Sequence, residues 1–170
     1  MNPALRNRLL AASAGGAIAI AGILVKWYEG TRYEPYQDPA GIWTVCEGVT
    51  GPDVVQGKTY TEAECTTLRT KHLRQAEARA RAALPNWDSL DKWIQAALID
   101  FTYNLGGAAL QDTEIGRRFR AGDIVGGCQQ LSRWVKARVH GQLVTLNGLV
   151  DRRGAEQEIC LEGATHARIP

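Results

Sequence analysis

Two carboxylates and a hydroxyl carry the chemistry that this sequence offers most directly. Glu29 closes Trp27-Tyr28-Glu29, Asp38 follows nine residues later in Tyr36-Gln37-Asp38-Pro39, and Thr44 six residues after that in Gly41-Ile42-Trp43-Thr44. Glu29 ends an apolar stretch, and an apolar setting favours the protonated carboxyl that a general acid needs. Asp38 lies among turn formers, where water reaches it and keeps it ionised. A carboxyl pair split by environment suits glycoside hydrolysis: one group protonates the leaving oxygen, and the other stabilises positive charge at the sugar or activates water. The Thr44 hydroxyl is placed to hold that water. Spacing alone does not single these residues out, because two acids near a turn are most often surface acids.

Competing chemistries have less to stand on. His72, His140 and His166 are scattered without metal-ligand spacing, so no metal site is expected. The sequence holds no nucleophile elbow, phosphate loop or dinucleotide fingerprint, and nothing calls for a cofactor. One rival is a thiol amidase or peptidase with Cys46 or Cys128 as nucleophile and His140 as base. Another is a tethered, non-enzymatic wall-binding module.

The elements that must position these groups fall into two kinds. Between residues 30 and 57, Gly30, Pro35, Pro39, Gly41, Gly48, Gly51, Pro52 and Gly57 indicate short strands and loops. From Thr61 the pattern turns helical. Thr61-Glu62-Ala63-Glu64 reads as a capping box that opens a helix to about Ala83, stopped by Pro85. Asp88 and Asp91 suit the start of a helix in which Trp93, Ala97, Phe101 and Leu105 recur every four residues, ending at Asn104-Leu105-Gly106-Gly107. Further helices are predicted at about 113–120, 123–137 and 148–161. A small β-rich lobe followed by a larger helical lobe is an α+β arrangement.

With 170 residues, 45% of them hydrophobic and 22% charged, the chain fits a single folded domain rather than a disordered or fibrous one. Its net charge of +2 comes from Arg6 and Arg8; residues 26–170 hold 18 basic and 18 acidic residues. That balance argues against nucleic-acid binding, which needs a basic excess.

Arg6 and Arg8 precede an uncharged run, Leu9 to Val25. A basic patch before an apolar stretch is an export pattern, with the arginines retained inside and the chain after Val25 facing outward. At ~1.5 Å per residue, 17 helical residues span roughly 25 Å, short of a ~30 Å hydrocarbon core. Ten of the 17 are Ala, Gly or Ser, and the seven strongly apolar residues supply only about 3–4 kcal/mol of insertion energy. Three readings stay open: a signal peptide cleaved after Ala19-Ile20-Ala21, a permanent anchor, or a helix that enters the membrane and later leaves it. The small-residue bias favours release.

The stretch Glu29-Gly30-x-Arg32-x-x-x-Tyr36-x-Asp38-x-x-Gly41-x-x-Thr44-x-x-x-Gly48 resembles the phage-type lysozymes of glycoside hydrolase family 24. The likeness continues in Phe101 to Gly107, Arg133 to Val135 and Gly148 to Cys160, and with the N-terminus it resembles a signal-anchor-release endolysin of the lambdoid phage type. The resemblance implies a lysozyme-like fold over 26–170 and a signal-anchor-release segment over 1–25. It implies Glu29 as acid, Asp38 as second carboxylate and Thr44 as the third active-site residue. The implied reaction is inverting attack by water on the β-1,4 bond between N-acetylmuramic acid and N-acetylglucosamine of peptidoglycan. Arg32 is expected to pair with an acid under the cleft, and Asn104 to hydrogen-bond a sugar amide or to cap its helix. The family usually has His where this chain has Val49; that His is a structural partner for an acid, so the change is expected to touch lobe stability rather than chemistry. Glu47 is read as a solvated strand residue, and Trp93, Phe101 and Trp134 as core.

Four cysteines in an exported domain suggest two disulfides out of three possible connectivities. The pairing 46–65 with 128–160 is favoured because the first closes a short loop across the small lobe. No Cys lies within 9–25, so control by a membrane-borne thiol is excluded and regulation is expected to be topological. Glu29 follows Val25 by little more than one helical turn, about 6 Å. A membrane-held 9–25 would therefore keep Glu29 at the inner membrane surface and the cleft incomplete. Release into the periplasm would let 9–25 pack on the domain, which is expected to act as a monomer.

Overall fold

A computed structural model describes residues 1–38, 41–139 and 141–166. Pro39, Ala40 and His140 lie outside the described residues, as does the chain beyond His166. The order of elements is α1 (Pro3–Ala12), α2 (Gly16–Glu29), β1 (Arg32–Gln37), β2 (Trp43–Cys46), β3 (Val49–Thr50), α3 (Glu62–Ala83), α4 (Lys92–Leu105), α5 (Ala108–Gln111), α6 (Glu114–Arg120), α7 (Ile124–Gln130), β4 (Lys136–Val139), β5 (Gln142–Thr145) and α8 (Asn147–His166). The architecture is α+β, with a small sheet lobe set on a larger helical lobe.

Several helix boundaries follow local sequence. Thr61 and Glu64 form the predicted reciprocal capping box, and α3 runs to Ala83. Asp91 caps α4 through the Trp93 amide, and Gly106 ends it. The helix predicted over 123–137 is cut short. It stops at Gln130, and after a 3-10 turn the chain forms the hairpin β4–β5, with Lys136 opposite Thr145. Lys136, Arg138 and Gln142 made that stretch too polar to reveal a short exposed strand pair.

The N-terminal segment lies packed on the helical lobe. Leu5 and Leu9 of α1 and Ile20, Ala21, Leu24 and Val25 of α2 are at most 1% exposed and share one core with Leu73, Leu98, Ile99 and Phe101. The stretch Pro3–Glu29 is also long and apolar enough to cross a membrane. Here it is not one straight rod: a 3-10 turn at Ser13–Gly15 and a left-handed Gly16 (φ 76°) separate α1 from α2. The basic pair finds partners on the domain, Arg6 at 3.3 Å from both Glu158 and Glu162 and Arg8 over the Trp27 ring.

Both favoured disulfides are present, Cys46–Cys65 and Cys128–Cys160. The first ties β2 to α3 in the small-lobe cluster of Val45, Val49 and Tyr60. Val49 is fully buried there, so an apolar side chain fits where the family carries His. An acid–histidine tie between the small lobe and α3 is nevertheless present nearby. Asp53 accepts hydrogen bonds from Lys71 at 2.7 Å and sits 2.9 Å from His72 Nε2, and these contacts hold its carboxyl below the usual range.

Glu47 departs from its expected solvated place. It is fully buried, 2.5 Å from Arg69 Nη1, and accepts the Thr31 hydroxyl at 2.9 Å. The cause is the turn before it. Cys46 adopts a left-handed backbone (φ 55°) while bonded to α3, which directs the next side chain inward toward that helix.

Candidate active site

Glu29 is the last residue of α2, and a left-handed Gly30 (φ 66°) lets the chain leave the helix at once. The setting is not the apolar one expected. Arg152 of α8 donates from Nη1 to Glu29 Oε1 at 2.5 Å, while its Nε and Nη2 fork onto both oxygens of buried Asp100 at 2.9 and 2.8 Å. Burial pushes the Asp100 carboxyl up, but the Arg152 charge and hydrogen bonds outweigh it and hold the group below its ordinary value. Arg152 itself is almost fully enclosed. Behind it, Arg153 pairs with Glu156 at 3.0 Å and donates to Asn104 Oδ1 at 2.9 Å.

The second carboxylate is placed by a tight turn. The Asp38 amide donates to the Ile42 carbonyl at 3.0 Å, and Asp38 Oδ1 accepts the Ile42 amide at 2.8 Å. Antiparallel pairing then does the rest. Tyr36 lies opposite Thr44 and Thr44 opposite Thr50, so the three side chains share one face of the sheet. The Thr44 hydroxyl donates to Ile42 O at 3.0 Å, which leaves its lone pairs as acceptors.

These groups converge on one cleft of about 270 Å³, lined by Glu29, Asp38 and Thr44 together with Tyr36, Thr50, Tyr103 and Asn104. Gly48 flanks Glu29, and a Cβ there would lie 3.6 Å from Oε2. Tyr103 donates to the Glu47 carbonyl at 2.7 Å, and burial together with the Glu29 and Glu47 charges pushes its hydroxyl up, so it remains a donor.

Of the residues predicted from sequence, Glu29, Asp38, Thr44 and Asn104 meet at this cleft. Arg32 does not. It opens the exposed strand β1 with its guanidinium over the Tyr36 ring at 4.2 Å, in a neighbouring depression, and the arginine that pairs with the acid is Arg152. Asn104 is not the helix cap, which is Gly106. Trp93 and Phe101 are core as expected, and Trp134 packs edge-on against Phe101. Sequence reasoning missed Arg152, Asp100 and Tyr103. The available signals were an acid inside the apolar face of α4 and the i, i+4 spacing of Arg152 and Glu156.

The phage lysozyme family profile matches residues 26–156. The SAR-endolysin of Bacteriophage PS119 is 42% identical over 96% of this chain and 98% of its own length. That of Enterobacteria phage P21 is 40% identical over 96% and 99%. Among solved structures, the active form of the P1 phage endolysin Lyz superposes with a TM-score of 0.76 at 25% identity, over 96% of each chain. A lysozyme-like fold, a family profile over residues 26–156 and a full-length match to endolysins agree: this chain belongs to the phage lysozyme family and is a lysozyme of the endolysin type.

Proposed function

We propose that the enzyme hydrolyses the β-1,4 bond between N-acetylmuramic acid and N-acetylglucosamine of peptidoglycan, with Glu29, Asp38 and Thr44 as its catalytic residues. The observation that carries this reading is the convergence of the three side chains on one cleft. Glu29 has one oxygen fixed by Arg152, which leaves the other to protonate the glycosidic oxygen. Asp38 and Thr44 lie on the strand side, where the Thr44 lone pairs orient a water and Asp38 takes its proton as it attacks the anomeric carbon. Electrons from the breaking C–O bond pass to the leaving oxygen, which receives the Glu29 proton, and the sugar inverts. Asn104 offers an amide donor to the sugar, and Arg32 contacts the strand outside the cleft.

The test is digestion of purified sacculi followed by borohydride reduction. New muramitol ends and an inverted anomer by NMR are expected, with loss of about 10³-fold or more in Glu29→Gln, in line with removal of a general acid and its charge. Glucosaminitol ends would refute the bond assignment. The thiol alternative loses its nucleophiles, because Cys46 and Cys128 are both in disulfides, while its base, His140, lies outside the described residues.

The N-terminal residues 1–25 act as a signal-anchor-release segment for the muramidase domain, 26–170. The segment holds Glu29 at the outer surface of the inner membrane while inserted, and completes the site in the periplasm once it packs. Magnitudes support this order. Insertion supplies only about 3–4 kcal/mol, and in the packed state Leu5, Leu9, Ile20, Leu24 and Val25 are again out of water, so leaving the bilayer does not expose them. Cleavage after Ala21 would remove Leu5, Leu9, Ile20 and Ala21 from the core, so the mature protein is expected to keep Met1. N-terminal sequencing that begins at Gly22 would refute release.

A further inference from the structure

Two joints lie between Glu29 and the strand-side groups, Asp38 and Thr44. The first is Gly30, left-handed at φ 66° and with open space where a Cβ would stand, so it restrains its neighbours little. The second is a register shift between Arg32 and Tyr36 in the pairing of β1 with β2, which keeps the ladder from carrying position rigidly along the strand. A tie between side chains spans the first joint. Arg32 pairs with Cys46, and just beyond that pair Glu47 Oε1 accepts the Thr31 hydroxyl at 2.9 Å and Arg69 Nη1 at 2.5 Å. Glu47 is fully buried. Arg69 reaches it from α3 while lying beside α2, where a Cβ at Gly22 would come within 3.7 Å of Nε. The Glu47 carbonyl accepts the Tyr103 hydroxyl of α4 at 2.7 Å. The next residue, Gly48, is the one whose Cβ position lies 3.6 Å from Glu29 Oε2.

We propose that Glu47 is a positioning residue for the general acid: with Thr31 and Arg69 it fixes both the chain just after Glu29 and the turn that faces Oε2. The inference rests on the muramidase reading, with Glu29 as the acid, and adds what aims that acid. Arg152 occupies Oε1, so the proton is delivered from Oε2, and the wall against that oxygen is Gly48. Glu47 is one residue from this wall, and Thr31 is two residues from Glu29. A shift in the bracket therefore moves the oxygen and its wall relative to each other. A displacement of about 1 Å at a reacting group costs on the order of 10²-fold in rate. Stability alone is a poor reason for the pair. Taking a carboxylate out of water is costly, and apolar residues of similar volume often match or exceed the stability of a buried ion pair. What a charged, doubly bonded carboxylate adds is a fixed geometry, because both donors lose their partner if it moves.

The full-length enzyme tests this with two substrates that differ in their need for an acid. On sacculi the leaving sugar oxygen must be protonated. On the 2,4-dinitrophenyl β-glycoside of N-acetylglucosaminyl-N-acetylmuramic acid, the phenolate leaves with its bonding electrons as a stabilised anion and needs no proton. Thr31→Val keeps the side-chain shape but removes the donor to Glu47. It is expected to lower kcat on sacculi about tenfold, a fraction of the roughly 10²–10⁴-fold that proton transfer supplies, with KM and the rate on the dinitrophenyl glycoside within about twofold of wild type. Thr31→Ser restores the hydroxyl and is expected to restore kcat. Glu47→Met combined with Arg69→Met is expected to melt as wild type does and still to lose about tenfold on sacculi alone. An unchanged kcat on sacculi in Thr31→Val overturns the inference, and so does an equal fall on both substrates, which marks general damage to the lobe. Glu29→Gln serves as the reference and is expected to lose far more on sacculi than on the dinitrophenyl glycoside. An equal loss there overturns Glu29 as the acid, and the inference with it; a selective loss there beside an equal loss in Thr31→Val leaves the acid in place and overturns the role of Glu47.

Discussion

Arg152 joins Glu29 to Asp100: one guanidinium, on the first turns of α8, bonds the end of α2 through Nη1 and the middle of α4 through Nε and Nη2. The acid of the cleft is thus aimed by a buried arginine whose own position is set by a fully buried carboxylate. Three helices distant in sequence must be in register before Glu29 points into the cleft, and α2 is one of them.

Truncating that arginine should damage both fold and activity. Arg152→Ala leaves Asp100 buried without its partner, which typically costs about 3–5 kcal/mol. Urea unfolding should show a loss of that size, and activity measured where the variant is still folded should fall at least about tenfold. Arg152→Lys keeps charge but not the fork, and it should recover stability better than activity.

The pH dependence of stability should show a limb from Glu156. This residue is fully buried, and burial pushes its carboxyl well above the ordinary value; Asp100 adds to the rise while Arg153 and Arg152 oppose it. A carboxyl raised in the folded state binds its proton more tightly there, so its contribution is fully present below about pH 4.3 and is lost as pH rises through the folded value. Glu156→Gln should therefore gain on wild type as pH increases. Urea midpoints at pH 4.5 and 8 would measure this, and a constant difference between the two proteins would show that Glu156 is ionised in the native state. Asp100, held low, acts in the opposite sense: its contribution is present above the ordinary carboxylate range and lost as pH falls through its folded value.

The small lobe depends on the bond that holds Cys46 in a left-handed backbone. Replacing Cys46 and Cys65 by Ala should cost roughly 3 kcal/mol in the chain-entropy account, and Cys46→Gly with Cys65→Ala should cost about 1 kcal/mol less, because Gly carries no penalty at that φ. Thermal melts of the two double variants would show the difference. Because the Cys46 turn feeds Glu47 and Gly48 beside Glu29, the Ala pair should also lose activity.

Release can be separated from packing. Ala11, near the end of α1, and Ala14, in the 3-10 turn that follows it, are exposed. Changing both to Leu adds about 1 kcal/mol of insertion energy without entering the core. The variant should stay in the membrane fraction longer in cells and delay lysis, while the protein purified in soluble form should melt as wild type does. Normal timing would count against a weak-anchor mechanism. By contrast, Gly16 requires a left-handed backbone, so changes at that glycine confound the two effects.

Local interactions made much of this molecule readable in advance. The Thr61–Glu64 box, the Asp91 cap and the Gly106 stop depend on residues close in sequence, so the chain declares them by itself, whereas four cysteines announced two disulfides and the fold selected 46–65 with 128–160 among three pairings. The carboxylates and Thr44 were singled out by the family resemblance rather than by their spacing, and their coming together is local, because the residues from Glu29 to Thr44 form one helix end, one turn and one strand pair. What only the tertiary structure decided are the partners brought from afar. Arg152 reaches Glu29 across 123 positions, Arg69 buries Glu47 across 22, and Gly107 clears the stem of Arg79. A charged residue looks alike in sequence whether it ends up solvated or buried, because its fate depends on which opposite charge or void the packed helices set beside it. The N-terminal segment makes the same point: its apolar residues announce that they must leave water, but only the packed fold supplies a protein core as the place to go.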